Sequence, residues 1–549
     1  MNSSIDLAGN CLPKRNEDAN SRSINACKKF REYGFYLLIT CVLLQLIIDS
    51  SIKNIIGVIT VFFTALIVFA ITIRASVIRA APLPVLIVIG FNMATMSGAL
   101  VTQTLYFKPL TYNLLASEHT FTALVLYQIA LLAALLFFMS GRVFFRASNF
   151  LRSNIFTPLG LLRAPSPMQV WIMGVFGLVA IIASIDFNHV VKYGDAGPKF
   201  IEAFGYLAFA PLILPALGYV FPKNMQYASI KNHYKYLFVY FIILVVVGIS
   251  ANTRGGFAAP VANLCLVIFL LLLIGQLVIT NAVRRWLVAG VAIAALMTPV
   301  ISDLATAMVV VRGERTQITT IQLLVKTLDA FQNKKEIETY RKLQKENIGT
   351  NDYEEDYITN PFLTRLILTK FTDNMFSLTD VRAGRHADVI WEVTEKTLIG
   401  LFPTPLLRFF GSDLNKEEIR FSMGDVLYAA QNGFGLGEYK LGSSVAHGVA
   451  LMGVASFLVI IPMFLIVFIA VQSFTLSTGG WLVVSPLILL QLISLYYLPI
   501  SDSFLGPVMY LLRTLPQNIL IYILVFHASW LIVSTLQLIS RPGNKVVRY

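Results

Sequence analysis

The chain has 549 residues, of which 56% are hydrophobic and only 13% charged, and it carries a formal net charge of +13. That much apolar surface exceeds what a soluble core buries, so the solvent for most of the chain is lipid. The positive charge would otherwise suggest a nucleic-acid partner, but the basic residues collect in one parity of loops between apolar runs, which is the pattern of cytoplasmic loops in a membrane protein.

In chain order the first element is a polar, basic tail, residues 1–32. A lipid-spanning helix needs roughly 20 predominantly apolar residues. Runs of about that length predict transmembrane helices 1–9 over residues 33–303, at Tyr33 to Asp49, Asn54 to Ile73, Pro84 to Val101, Phe121 to Met139, Met168 to Phe187, Phe204 to Phe221, Tyr236 to Ser250, Phe257 to Thr280 and Trp286 to Ile301. The first run follows a long polar tail and leads directly into a second, so it reads as a retained span rather than a cleaved leader. A hydrophilic stretch, residues 304–445, separates these from helices 10–12 over residues 446–540, at Ala446 to Gln472, Trp481 to Pro499 and Asn518 to Ile539. Residues 541–549 form a closing tail.

Alternating the sides gives a direct test of this layout. Lys14, Arg15, Lys28, Lys29 and Arg31 lie in the first tail, and Arg74, Arg79, Arg142, Arg146, Arg152 and Arg163 fall in the next loops on that side. Lys223, Lys231, Lys235, Arg284, Arg285, Arg541, Lys545 and Arg548 continue the series. Both termini are therefore expected in the cytoplasm. The expected fold is an all-α polytopic membrane protein of about 12 transmembrane helices with a large, mainly helical loop on the outer side.

That loop is too long to be a plain connector. Within it, Ile318 to Lys345 has mixed charge at helical spacing and predicts an amphipathic helix, while the apolar, proline-containing Leu398 to Phe410 is expected to lie on the membrane surface. The four cysteines, Cys11, Cys27, Cys41 and Cys265, are too few and scattered for a disulfide framework. There is no Walker loop, no His-Glu-x-x-His, no paired cysteines at metal spacing and no Gly-x-Ser-x-Gly elbow. The spans are almost free of ionisable groups, which disfavours a pump or ion-coupled transporter.

Three patterns fall on the expected outer side. Asn252-Thr253-Arg254-Gly255-Gly256 makes a tight turn between two spans. An arginine there serves either as a head-group anchor or, with glycines that let the backbone approach, as a phosphate contact. Arg382-Ala383-Gly384-Arg385-His386-Ala387-Asp388 leads to Trp391 in the long loop and reads either as a solvated helix start or as a binding cluster. Gly433 to Gly437 and then Ala446-His447-Gly448 stand at the mouth of the tenth span, where His447 is either an interfacial residue or a proton acceptor near pH 7.

These patterns, in this order, resemble the O-antigen polymerase and O-antigen ligase family of lipid-linked glycosyltransferases. The shared features are a Ser-Arg-Gly-like turn opening a span (Thr253-Arg254-Gly255), Gly-Arg followed by Trp in the large loop (Gly384-Arg385 and Trp391), a Gly-x-Gly stretch, and an Ala-His pair entering the next span (Ala446-His447). Where the family usually has Asn after that histidine, this chain has Gly448. The resemblance covers roughly Tyr236 to Gln472. It implies a GT-C-like fold in a bacterial inner membrane, with the large, mainly helical loop periplasmic, and an undecaprenyl diphosphate-linked oligosaccharide as donor. Transfer would be to a hydroxyl acceptor on the periplasmic face, with no metal or nucleotide cofactor and with membrane lipid and other polysaccharide export and chain-length proteins as partners. Arg254 and Arg385 would neutralise the leaving diphosphate, helped by Arg382, Arg312 or Arg315, and His447 would activate the hydroxyl, with Asp388 as the next candidate. The acidic run Asp352, Glu354, Glu355 and Asp356 reads as solvated rather than metal-binding. The main expectation is a polymerase of O-antigen or exopolysaccharide repeat units; the alternatives are a ligase of the same family and a lipid-linked oligosaccharide flippase.

Overall fold

The computed structural model describes residues 12–539, apart from 185–200, 223–226, 228–232, 251–253, 279–280, 312–317, 319, 347–356, 359, 361–362, 380–385, 403, 413, 417–418, 420, 434–435, 437–439 and 479–480. Among the described residues, 7 helices are long and apolar enough to cross a membrane: Ala19–Ile48, Ile52–Thr72, Pro82–Leu105, Ser117–Ser140, Pro167–Ser184, Ala455–Gln472 and Gly506–Ile539. Shorter apolar helices, Gly205–Val220, Tyr234–Ser250 and Ala259–Leu273, fall on further expected runs, whereas Leu296–Val310 overlaps only the end of the expected Trp286 to Ile301 run and continues past residue 303, as part of the helix Asn281–Val310. The protein is thus a helical, polytopic membrane protein. Pro82–Leu105 is the most enclosed span, with 78% of its apolar stretch buried against 22% for Ala19–Ile48, so the others pack around it.

The run from Trp481 to Pro499 does not form the expected continuous helix. Trp481–Val484 is a strand paired antiparallel with Thr475–Thr478, and the chain then proceeds through the short helices Pro486–Leu489 and Leu492–Tyr497 and a 3-10 turn, Leu498–Ile500. Pro486 and Pro499 account for part of this, because each lacks the amide that a helical ladder uses. A broken helix at this depth needs its freed backbone groups satisfied by protein. Asn263 does this: its side-chain amide donates to Leu489 O (2.8 Å) and its side-chain carbonyl accepts from Ile493 N (3.0 Å), spanning the break. Close approach helps seat the segment, since a Cβ on Gly90 would stand 2.7 Å from Tyr496 O.

The hydrophilic stretch is also more divided than expected. The helix predicted over Ile318 to Lys345 is two helices, Thr320–Gln332 and Lys334–Glu346, with Asn333 between them accepting from the Glu336 amide. Arg341 of the second pairs with Asp303 (2.8 Å) and donates to Ser302 and Thr306, docking it along the Asn281–Val310 helix. The Leu398 to Phe410 stretch contains the short helix Thr404–Phe409, and Phe402, Phe409 and Phe410 are exposed, which fits a surface that rests on lipid.

Asn263 is the residue on which the broken segment most directly depends. Replacing it with Leu leaves a buried carbonyl and a buried amide unmet, each costing about 1–3 kcal/mol. Asn263→Leu is expected to lower the thermal midpoint of the purified, detergent-solubilised protein by several degrees, whereas Asn263→Gln recovers part of the loss. An unchanged midpoint for the Leu variant would mean that the break is satisfied some other way.

Candidate functional site

The bundle has two ends with different chemistry. At one, Arg22 donates to Gly275 O, Arg79 to Ile274 O and Arg152 to Thr475 O, while Gln472 donates to Ala80 O and Ser485 to Leu161 O. Arginines from three successive basic segments of the sequence are thus gathered together. At the other end, Gln45 ties the first helix to a following loop, donating to Thr104 Oγ1 and Lys108 O and accepting from Leu110 N. The candidate site is built at this second end.

Its foundation is a piece of the hydrophilic stretch that enters the bundle. The Pro82–Leu105 span is interrupted at Met96, between the helices Pro82–Thr95 and Ser97–Leu105, and the chain inserts there. Leu368 N donates to Ala94 O (2.8 Å) and Thr369 Oγ1 donates to Thr95 O, midway along the span. The helix Thr369–Thr379 then runs back among the others, with Thr369 to Phe376, Leu378 and Thr379 all buried. It carries an ion pair inside the protein: Lys370 Nζ lies 3.1 Å from Asp373 Oδ2, and the two side chains are 1% and 0% exposed. Both carboxylate oxygens are engaged. Oδ2 also accepts from Leu115 N (2.8 Å), and Oδ1 accepts from Ala116 N (2.7 Å) and Thr120 Oγ1 (3.3 Å). Lys370 donates in addition to Asn113 O. Removing one partner of such a pair typically costs about 3–5 kcal/mol, because the other charge stays buried.

Ser443 joins this helix to the next layer. Its hydroxyl lies 2.8 Å from Thr372 Oγ1 and caps the helix Ser444–Met452, which carries His447. The expected tenth span, Ala446 to Gln472, is therefore divided: this helix ends at Gly453, ahead of the span Ala455–Gln472, and His447 lies outside the spanning segment. His447 is completely buried (0% exposed). Phe504 N donates to its Nδ1 (3.2 Å), so Nδ1 accepts and Nε2 carries the proton, donated to Thr394 Oγ1 (2.9 Å). Thr394 in turn donates to Ile390 O, and Ser503 Oγ approaches Nδ1 at 3.2 Å. Burial pushes the imidazole pKa down to about 4, because the cation would form without water. With its lone pair engaged and its ring enclosed, His447 fastens three segments together rather than facing an acceptor. Gly448 follows from the same packing: a Cβ there would stand 2.5 Å from the Phe504 ring, so a larger residue does not fit.

Asp502 makes a second junction, accepting from Met423 N (3.2 Å) and from Gly442 N. Burial pushes its carboxyl up from the usual range, those two amides oppose the shift, and nearby Asp425 adds to it. Nothing in the sequence patterns singled out Lys370, Asp373, Asp502 or Thr394. The polar residues of Thr369-Lys370-Phe371-Thr372-Asp373 suggest a surface, and only the tertiary fold buries them.

Of the residues predicted for the site, Asp388 is exposed in the first turn of the helix Ala387–Ile399, the helix that supplies Thr394. Arg254 begins the helix Arg254–Leu273, whose far end meets Ser23 among the basic residues; its 20 residues span about 30 Å. Its first residue therefore stands at the same end as His447. Arg312, Arg315, Arg382 and Arg385, and the Asp352 to Asp356 run, lie outside the described residues. His386, next to Arg385, adopts a left-handed backbone (φ 61°), and its Nε2 is buried without a hydrogen-bond partner among the described residues. Strained, unsatisfied positions of this kind concentrate at binding sites. Among the described residues no group of three or more His, Cys, Asp or Glu comes together to hold a metal. No known protein family, curated protein or solved structure matches the chain.

The histidine carries a pH signature. An ordinary histidine titrates near 6.5, so as pH falls from there toward 4 the unfolded chain takes up a proton that the folded chain refuses. Stability is then lost on acidification through that window, by up to about 1.4 kcal/mol per pH unit. Thermal midpoints of the detergent-solubilised protein between pH 7 and 4.5 are expected to decline, with a shallower decline in His447→Asn. Equal slopes in the two proteins would show that His447 is not held neutral.

Proposed function

We propose that the protein is a membrane-embedded glycosyltransferase that takes a glycan from an undecaprenyl diphosphate-linked donor and joins it to a sugar hydroxyl, extending an O-antigen or exopolysaccharide. The observation that carries this reading is the 2.9 Å contact between Thr394 and His447. It ties the helix that follows the Gly384-Arg385 stretch in the sequence to the Ala446-His447 pair. Arg254 opens its helix at that same end of the bundle.

In the reaction, the acceptor oxygen forms the new bond to the anomeric carbon as the bond from that carbon to the diphosphate oxygen breaks. The diphosphate leaves with the bonding electrons, and the hydroxyl proton passes to a base. Arg254 and Arg385 are the cations we assign to the diphosphate, since the planar guanidinium grips phosphate oxygens in a fork and its charge is independent of pH. Arg382, Arg312 and Arg315 are assigned as supporting contacts. Asp388, exposed and close after Arg385 in the chain, takes the base role better than His447, whose nitrogens are both engaged. We assign the basic end of the bundle to the cytoplasm and the His447 end to the periplasm of a bacterial inner membrane, where the lipid tail of the donor remains in the bilayer while its head group reaches water.

The chemistry is tested with purified protein in lipid nanodiscs and an undecaprenyl diphosphate-linked oligosaccharide. Arg254→Lys and Arg385→Lys are expected to lose nearly as much transfer as the alanine variants. Asp388→Asn should keep donor binding and lose roughly 10²-fold to 10⁴-fold in rate, the usual contribution of a general base. Transfer should survive a chelator. Near wild-type transfer in both lysine variants would make the arginines interfacial anchors and remove the basis of the proposal. Product length separates the family members, repeat-unit ladders indicating a polymerase and single transfer to a non-glycan acceptor a ligase.

The sidedness has its own test. Cysteine placed at Glu392, which is exposed, is expected to react with an impermeant maleimide in intact cells, and cysteine at exposed Arg142 only after the cells are opened. The reverse pattern would invert the assignment and place the site in the cytoplasm.

A further inference from the structure

The buried pair Lys370 and Asp373 is not used by the chemistry above, and it is an unusual feature for a bundle whose spans contain so few charges. Its neighbours say what it does. Asp373 gathers the amides of Leu115 and Ala116 and the hydroxyl of Thr120, all at the start of the Ser117–Ser140 span, and Lys370 reaches Asn113 O in the same loop. At the head of the same helix, Leu368 and Thr369 hold the carbonyls freed where the Pro82–Leu105 span breaks. Thr372, between the two charged residues, meets Ser443 at the cap of the His447 helix.

The helix therefore touches two spans and the His447 layer at once. Immediately beyond its last residue, Thr379, come residues 380–385, which include Arg382 and Arg385, and immediately beyond those comes His386, the cap of the helix that holds His447 through Thr394. Both flanks of the arginine stretch are thus anchored to the same layer. One anchor is the Thr394 to His447 contact; the other is the Thr372 to Ser443 contact, made by the helix that the ion pair ties to the loop before Ser117.

We infer that Lys370 and Asp373 are positioning residues: by seating the Thr369–Thr379 helix inside the bundle they hold the flank of the stretch that bears Arg382 and Arg385 beside the His447 layer. Charge suits this task. Phe371, Met375, Phe376 and Leu378 of this helix are buried too, but apolar packing tolerates small shifts, whereas an enclosed pair bonded to the loop before Ser117 leaves a buried charge unmet in any other seating. The importance of that seating for transfer rests on the proposed function; the seating itself does not.

The experiment reads the seating without any substrate. Thr379→Cys places a thiol at the buried end of the helix, and its rate of reaction with N-ethylmaleimide, resolved by peptide mass in the full-length detergent-solubilised protein, follows the population in which the helix has lifted. Native Cys27, buried at the basic end, reports on the rest of the bundle in the same sample. Adding Lys370→Met or Asp373→Asn is expected to speed labelling of the new thiol by roughly tenfold or more while Cys27 stays as slow as in the parent protein. Should a charge variant fail to fold, shown by fast labelling of Cys27 as well, Thr120→Val decides instead: it strips one contact from Asp373, leaves the pair intact, and is expected to speed labelling of the helix thiol severalfold. Unchanged labelling in a folded charge variant, or in Thr120→Val where neither charge variant folds, would overturn the inference. If the labelling is as expected but wild-type protein shows no glycan transfer, the positioning role stands and the glycosyltransferase reading fails.

Discussion

Inside a bilayer no water is at hand to satisfy a peptide group, so every N–H and C=O at depth must find its partner within the protein. Regular helices meet that demand by themselves, and most of this chain does so. The departures are where polar groups from elsewhere in the chain carry the burden. Asn263 serves both sides of the break between Leu489 and Ile493, and Leu368 and Thr369 serve the carbonyls released at the Met96 interruption. Asp373 holds two amides of the loop before Ser117. Each device is a polar group devoted to backbone, and together they allow irregular chain to exist where lipid would otherwise exclude it.

The irregular segments meet at one end of the bundle, and this is why a site can be built there. The broken span emerges at Ser501, Asp502 and Ser503, where Asp502 takes the amides of Met423 and Gly442 while Phe504 N and Ser503 address His447. The inserted helix arrives from the other direction and reaches Ser443 through Thr372. Parts of the hydrophilic stretch that are far apart in sequence are thus drawn onto the bundle by separate polar contacts rather than folding as a detached domain. Such contacts fix geometry more tightly than apolar packing would, since a misplaced partner leaves a buried polar group unmet.

How much of this can be read from the sequence depends on where the signal is local. Apolar length and the clustering of Arg and Lys are properties of short windows, so the helical, polytopic character and the gathering of basic residues at one end follow from them. Trp481 to Pro499 misleads because its composition is that of a span, while Pro486 and Pro499 mark only part of the interruption and the rest, between Leu489 and Ile493, depends on Asn263 from a distant helix. Thr369 to Thr379 misleads in the opposite direction: its polar residues look solvated, and the partners that neutralise them, Asn113 to Thr120, lie far back in the chain. For His447 the sequence locates the residue but not its environment. The Thr394 hydroxyl and the Phe504 amide, which decide which nitrogen carries the proton, come from segments on either side of it in the chain.

That environment bears on how a histidine in this position contributes to a site. A proton acceptor needs a free lone pair directed at its substrate and a pKa near the working pH. His447 has neither, since its Nδ1 is filled by a backbone amide and burial holds the ring neutral well below pH 7. What a neutral imidazole offers instead is a rigid donor and a rigid acceptor on opposite edges of one ring. Here the donor edge takes the helix that carries Asp388, and the acceptor edge takes the exit of the broken span. Gly448 belongs to the same arrangement, because the Phe504 ring occupies the space that a side chain there would need. The glycine at 448 is then a packing consequence of bringing the broken span close enough to bond Nδ1.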